Sequence, residues 1–104
     1  MWNCIEIDHL NDESKIELAA LIPETKRYFG EGVECYEGLY ETIQEYLKNM
    51  KWNVSNSFDM AHIPPAKAIE IMKEIEMVGE LMRNDQQNAM VWELRHLREM
   101  IMLV

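Results

Sequence analysis

The sequence from residue 65 to residue 104 carries apolar side chains at helical spacing and is interrupted once, at Asn84-Asp85. Apolar residues that recur every three or four positions turn one face of a helix toward a protein core. Asn and Asp favour tight turns and helix starts. This part of the chain therefore predicts two helices, over 65–83 and from residue 86 almost to the C-terminus, joined as a long antiparallel hairpin.

The first part of the sequence predicts further helices with less regular connections. A helix-start signal at 11–14 opens a helix that ends before Pro23, and a short helical turn follows up to Gly30. Residues 33–50 have the clearest helical pattern, whereas 51–58 alternate apolar and polar side chains as a strand does. We expect a mostly α fold of four to five helices, with room for a minor two-stranded β element.

Length and composition favour one small globular domain. The chain has 104 residues, of which 48% are hydrophobic and 28% are charged, a balance typical of a folded chain and not of a disordered one. We predict a single domain over residues 1–104. No segment resembles a secretory signal or a membrane span, and Cys4 and Cys35 are the only cysteines, so we expect a cytoplasmic protein with free thiols.

The negative charge is concentrated in the first half of the chain. Residues 1–47 hold eleven acidic and three basic residues, a net charge of −8, whereas residues 48–104 have a net charge of −1. Nucleic-acid binding depends on lysines and arginines that neutralise phosphates. We therefore expect no direct binding of DNA or RNA, no membrane association, and attraction to a basic protein partner.

Four glutamates on the clearest predicted helix form what we call the acidic ridge: Glu34, Glu37, Glu41 and Glu45. Spacings of three and four residues align them on one helix face, opposite the apolar face. Glu31 and Glu24 are expected nearby, of which only Glu31 is counted with the ridge as a partner-binding residue. Such a ridge is either a docking surface for a basic cleft or a solvated face that keeps the protein in solution. We predict that these five residues bind the partner.

The C-terminal hairpin carries more apolar side chains than one core face requires. Trp92, His96 and Leu103 form a second line on the last helix, and Met77 and Leu81 lie outside the core stripe of the helix before it. A second apolar face is covered either by a neighbouring helix of the same chain or by another copy of the chain. We predict a homodimer interface through these five residues.

Catalytic and metal-binding motifs are weak in this sequence. Glu93-x-x-His96 has the spacing of a carboxylate–histidine metal motif, but it occurs once and lacks the second copy that di-iron bundles use. The cysteines and histidines do not have zinc-finger spacings, and there is no glycine-rich phosphate loop or nucleophile elbow. We expect no metal, no cofactor and no enzymatic activity.

These observations favour a non-catalytic acidic protein that engages and inhibits a basic protein, one that handles nucleic acid. Anti-defence proteins, immunity proteins against nuclease toxins and anti-regulators share this profile of small size and negative charge, which is an analogy and not a family resemblance. The first alternative is a homodimeric structural or adaptor protein. The second is a small helical ligand sensor or enzyme that uses Glu93 and His96.

Overall fold

The computed structural model describes residues 5–6, 9–29, 35–60 and 62–102. Most of these residues are helical, so the prediction of a mostly α fold is confirmed. In chain order the elements are β1 (Ile5–Glu6), α1 (Asp12–Leu21), a 3₁₀ helix (Pro23–Tyr28), β2 (Cys35–Tyr36), α2 (Glu37–Asp59), α3 (Pro65–Arg83) and α4 (Gln87–Met102). None of the described helices is both long and apolar enough to cross a lipid bilayer.

The start and end of α1 follow from local chemistry. The side-chain oxygen of Asn11 accepts the backbone N–H of Ser14 at 2.8 Å and caps the helix. At the other end, Pro23 keeps the preceding Ile22 out of the helical conformation, at φ −130° and ψ 89°. The chain then tightens into the 3₁₀ helix, where the buried hydroxyl of Thr25 donates to the Ile22 carbonyl at 2.7 Å.

Two predictions about α2 are wrong. The helix begins at Glu37 and not at residue 33, because Cys35 and Tyr36 are extended in β2 and pair with β1. The predicted strand over 51–58 is helical, and α2 continues to Asp59. No glycine or proline occurs between Gly38 and Pro64, so nothing in the sequence terminates the helix earlier.

The turn between α3 and α4 is a well-defined helix cap. The N–H of Gln86 donates to the carbonyl of Leu81 at 2.9 Å, and the N–H of Asp85 donates to that of Met82 at 3.3 Å. Asp85 has a φ of 56°, the left-handed conformation that this type of cap requires. The chain therefore reverses within three residues, and α4 packs against α3.

The helices surround one apolar core. α2 packs against α3, α3 against α4, and α4 against α1, while the 3₁₀ helix contacts both α1 and α2 and completes the ring. The fully buried side chains come from every part of this ring, including Leu18, Ile43, Ile71 and Leu94. The helix faces that point away from this core are available to bind a ligand or a partner.

Polar contacts attach the segment before α1 to the α3–α4 turn. The side chain of Asn88 donates to the His9 carbonyl at 2.8 Å and accepts the Asn11 N–H at 3.0 Å. His9 Nδ1 also lies 2.7 Å from a carboxylate oxygen of Asp85. These contacts join the segment before α1 to the α3–α4 turn and the start of α4.

Candidate functional sites

A polar cavity between the 3₁₀ helix and α2 contains the part of the acidic ridge that the structure describes. We call it the acidic cavity; its volume is about 550 Å³. Among the described side chains, three glutamates line it: Glu24 from the 3₁₀ helix, and Glu41 and Glu45 from successive turns of α2. The remaining lining residues are Ile22, Arg27, Tyr28, Gly38, Thr42, Tyr46 and Asn49.

The structure places only part of the predicted ridge. Glu41 and Glu45 are exposed on successive turns of α2. Glu37 is the first residue of α2, but its side chain is not described, and Glu31 and Glu34 lie outside the described residues. α2 begins at Glu37, so Glu41 and Glu45 are the ridge residues whose side chains the structure describes on this helix.

Glu24, which is expected near the ridge but is not among the predicted binding residues, lines the same cavity. It is exposed in the first turn of the 3₁₀ helix, directly after Pro23. The contact between the 3₁₀ helix and α2 brings it to the same cavity as Glu41 and Glu45. Pro23 was a sequence signal for a helical turn, but the docking of that turn on α2 is a tertiary contact that local spacing does not predict.

Arg27 and Tyr28 form one wall of the acidic cavity. Arg27 Nη2 donates to the Tyr28 hydroxyl at 2.9 Å, and its guanidinium lies 5.0 Å from the centre of the same ring. Hydrogen bonds with Thr42 and then Arg27 lower the pKa of Tyr28 below its ordinary value. A Cβ on Gly38 would lie 2.9 Å from the Tyr28 hydroxyl oxygen, so the ring needs a glycine at that position to pack this closely.

The negative charge of the acidic cavity is only partly compensated. Arg27 is the one cationic residue among the described residues that line it, and its guanidinium is engaged by Tyr28. Within the described part of the chain, no lysine or arginine forms an ion pair with Glu24, Glu41 or Glu45. The cavity can therefore accept an external cation without first breaking an internal ion pair.

A second polar cluster lies between α3 and α4 and consists of Glu74, Glu93 and His96. Their ligand atoms all lie within 4.8 Å of one another. The two carboxyls are partly buried, the imidazole is exposed, and Glu74 Oε2 is fully buried with no hydrogen-bond partner among the described residues. A hydrogen bond with Glu74, then burial and the negative charge of Glu74, raise the pKa of Glu93 to about 7, and His96 opposes this increase.

The sequence identified Glu93 and His96 but not Glu74. Glu74 lies one residue from the core residue Ile75, on the edge of α3 that faces α4. A signal was available: residues equally distant from the turn at Asp85 lie opposite each other in two antiparallel helices, and Glu74 is as far before that turn as His96 is after it.

The residues predicted to form an oligomer interface differ in exposure. Met77 and Trp92 are 48% and 41% exposed, Leu81 is partly buried, and Leu103 lies outside the described residues. The guanidinium of Arg95 lies 5.8 Å from the centre of the Trp92 ring and covers part of it. His96 belongs to the polar cluster with Glu74 and Glu93, so it does not extend a purely apolar line.

An apolar groove of about 410 Å³ runs between the end of α2 and the start of α3. Val54 and Phe58 contribute from α2, and Ala68, Ile69 and Met72 from α3. The sequence did not predict it, because the alternation over 51–58 predicts a strand.

Comparison with protein-family models, curated proteins and solved structures found no match to this chain.

Proposed function

We propose that this protein is a non-catalytic binding protein that engages a basic protein through the acidic cavity and the exposed glutamates of α2, and that it inhibits this partner. The observation that carries the proposal is the convergence of Glu24, Glu41 and Glu45 on one cavity where no lining lysine or arginine pairs with them among the described residues. The proposed location is the cytoplasm.

The electrostatics of the cavity favour a lysine or arginine side chain of the partner. The Cβ atoms of residues four apart on a helix are about 5–6 Å from each other, so two glutamates at this spacing can both reach one cation. A cavity of about 550 Å³ is large enough to admit the end of a long basic side chain. An arginine is the better match, because its planar guanidinium can donate to two carboxylates at once.

The overall charge supports the choice of a nucleic-acid-handling partner. The chain has a formal net charge of −9, and most of it lies in the first 47 residues, which include the three glutamates of the acidic cavity. A protein that binds nucleic acid presents a cluster of lysines and arginines to the phosphates. An acidic protein that occupies this cluster competes with nucleic acid, and we propose that inhibition occurs in this way. Anti-defence, immunity and anti-regulator proteins have the same profile of small size and negative charge.

The test is capture of the partner with a charge-reversed variant and a matched control. Glu41→Lys with Glu45→Lys reverses two exposed carboxylates that line the cavity, and Glu76→Lys with Glu80→Lys makes the same change at the same spacing on the exposed face of α3. We expect wild type and the α3 variant to capture the same basic protein at low salt, and the α2 variant to lose it. Equal capture by all three proteins would remove the acidic cavity as the binding site.

A second candidate function is a homodimeric adaptor, favoured by the exposure of Met77 and Trp92. We infer that α3 and α4 act as one antiparallel hairpin and that residues 1–104 form one domain, so both side chains would be presented on the same rigid unit. Analytical ultracentrifugation of wild type and Trp92→Ala tests this function. A monomer of 12.4 kDa at high concentration contradicts it, and a dimer that Trp92→Ala dissociates supports it.

A further inference from the structure

The cluster of Glu74, Glu93 and His96 brings together side chains whose charges are not balanced by the rest of the described chain. The carboxyl groups of Glu74 and Glu93, from adjacent helices, share a hydrogen bond, and no described lysine or arginine forms an ion pair with either of them. Glu74 Oε2 is excluded from solvent and has no donor among the described residues. A buried carboxylate oxygen without a donor is costly, so a bound positive species would stabilise this arrangement.

The types of donor atom point to a metal ion. Two carboxylate oxygens and one imidazole nitrogen form a mixed oxygen–nitrogen set, which suits divalent transition metals, whereas Mg²⁺ and Ca²⁺ prefer oxygen ligands alone. Glu93 and His96 are three residues apart on α4, so both point from one face of that helix, and Glu74 reaches them from α3. We propose that Glu74, Glu93 and His96 bind a divalent transition-metal ion, with Zn²⁺ as the reference ion.

The distances are compatible with closure around one ion. Ligands bound at about 2.1 Å to a tetrahedral zinc ion lie about 3.4 Å from one another. The ligand atoms of the cluster lie within 4.8 Å of one another, so modest side-chain rotations of the two glutamates bring all three to bonding distance. Both helices keep their positions in this closure, since the long side chains supply the movement.

Three protein ligands leave a coordination position for water or for a small ligand. His96 is exposed, so water or a small ligand can reach the site from solvent. A metal held in this way joins α3 to α4 at a point remote from their connecting turn, and it stabilises the folded chain because the unfolded chain does not hold the three ligands together. This site extends the alternative of a ligand sensor and is independent of the acidic cavity.

The experiment measures Zn²⁺ binding to protein that has been stripped of metal with a chelator. All samples carry Cys4→Ser and Cys35→Ser, because thiolates bind zinc and would mask a weaker site. We expect isothermal titration calorimetry to show one Zn²⁺ per chain with a Kd of about 10 μM or tighter. The same protein with Co²⁺ should show the visible absorption of a cobalt ion with nitrogen and oxygen ligands.

Three variants remove one ligand each: Glu74→Gln, Glu93→Gln and His96→Ala. Each should weaken Zn²⁺ binding at least about tenfold, in line with the loss seen when groups that support a metal site are removed. The matched control changes an exposed glutamate of α3 and an exposed histidine elsewhere, Glu80→Gln with His62→Ala, and should bind Zn²⁺ as the parent does. Melting temperatures in chelator show which variants are folded, and any one folded variant is sufficient for the comparison.

Two results would overturn the proposal. One is Zn²⁺ binding that is as tight in a folded ligand variant as in the parent, which would place the metal elsewhere on the chain. The other is equal stabilisation of the parent by Mg²⁺ and Zn²⁺, because equal effects indicate general screening of an acidic protein and not coordination by an imidazole. An increase in melting temperature with Zn²⁺ but not with Mg²⁺, lost in the variants, supports it.

Discussion

At the scale of single residues, Asp85 combines a conformational role with two side-chain contacts. Its φ of 56° is uncommon for a residue with a Cβ, although aspartate tolerates this region better than most residues. Its carboxylate accepts a hydrogen bond from the buried Gln87 side chain and lies 2.7 Å from His9 Nδ1. The turn thus depends on a residue type that suits both the backbone and the contacts.

Replacing Asp85 by alanine is expected to destabilise the protein by about 1–2 kcal/mol, because the left-handed conformation becomes less favourable and Gln87 loses its partner. Asp85→Gly loses the same contacts but adopts the conformation freely, so it should cost less. Urea denaturation of the two variants checks this order. An equal loss in both would show that the backbone conformation at Asp85 has little influence on stability.

Two tyrosines near the acidic cavity differ in environment. Hydrogen bonds with Thr42 and Arg27 lower the pKa of Tyr28, while burial raises the pKa of Tyr46 against the opposing charge of Arg98. A spectrophotometric pH titration should therefore show Tyr28 ionising below pH 10 and Tyr46 above it, assigned with Tyr28→Phe and Tyr46→Phe. Since the pKa of Tyr46 is raised in the folded state, its contribution to stability is lost as the pH rises above about 10.

Gly38 is expected to control the position of Tyr28. An added methyl group would lie 2.9 Å from the Tyr28 hydroxyl oxygen, so Gly38→Ala should displace the ring from Thr42. The pKa of Tyr28 should then move back toward its ordinary value in the same titration. An unchanged Tyr28 titration in Gly38→Ala would contradict the close contact.

At the scale of helices and strands, the sequence predicts an element well where pattern and terminating residues agree. α3 lies where it was predicted, because Pro65 and Asn84 bracket a helical apolar stripe. The apolar residues of 51–58 fit both the two-residue period of a strand and the 3.6-residue period of a helix. In α2, Val54 is buried, whereas Trp52 is 68% exposed. Only packing against the core decides whether such a segment is a strand or a helix. A strand of two residues such as β2 is too short to show an alternation in the sequence.

A proline at Ser55 tests whether α2 is continuous. Ser55 is exposed within the helix, so Ser55→Pro should destabilise the protein by about 3 kcal/mol through a lost backbone hydrogen bond and a steric clash. Ser55→Ala is the control and should stabilise it by a few tenths of a kcal/mol, since alanine favours helix. Chemical denaturation measures both, and a mild effect of proline would indicate that the helix ends before this residue.

At the scale of the whole molecule, each candidate site combines residues from two elements. Glu41 and Glu45 were predicted from their spacing on α2, and Glu93 and His96 from theirs on α4. Glu24 and Glu74 complete the two sites from the 3₁₀ helix and from α3. Spacing within one helix is visible in a sequence, whereas contact between elements depends on how the ring of helices closes.

The net charge of −9 also predicts what the protein does not bind. It should not bind DNA or RNA by itself with a Kd tighter than about 10 μM at physiological salt, a range that non-specific binders reach. An electrophoretic mobility shift assay with single- and double-stranded probes checks this. A shift at lower protein concentration would mean that the negative charge does not keep the phosphates away.

The central claim is that the acidic cavity binds a basic protein, and the most direct measurement is the association rate with the captured partner at increasing salt. Charges near an interface act mainly on association and are screened beyond about 8 Å at physiological ionic strength. Wild type and the control Glu76→Lys with Glu80→Lys should associate quickly at low salt and slow steeply as salt rises. Glu41→Lys with Glu45→Lys should associate slowly with a shallow salt dependence, while its unfolding free energy changes by no more than about 0.5 kcal/mol. If this variant keeps the association rate and salt dependence of wild type, the glutamates of the cavity serve only solubility and the claim is wrong.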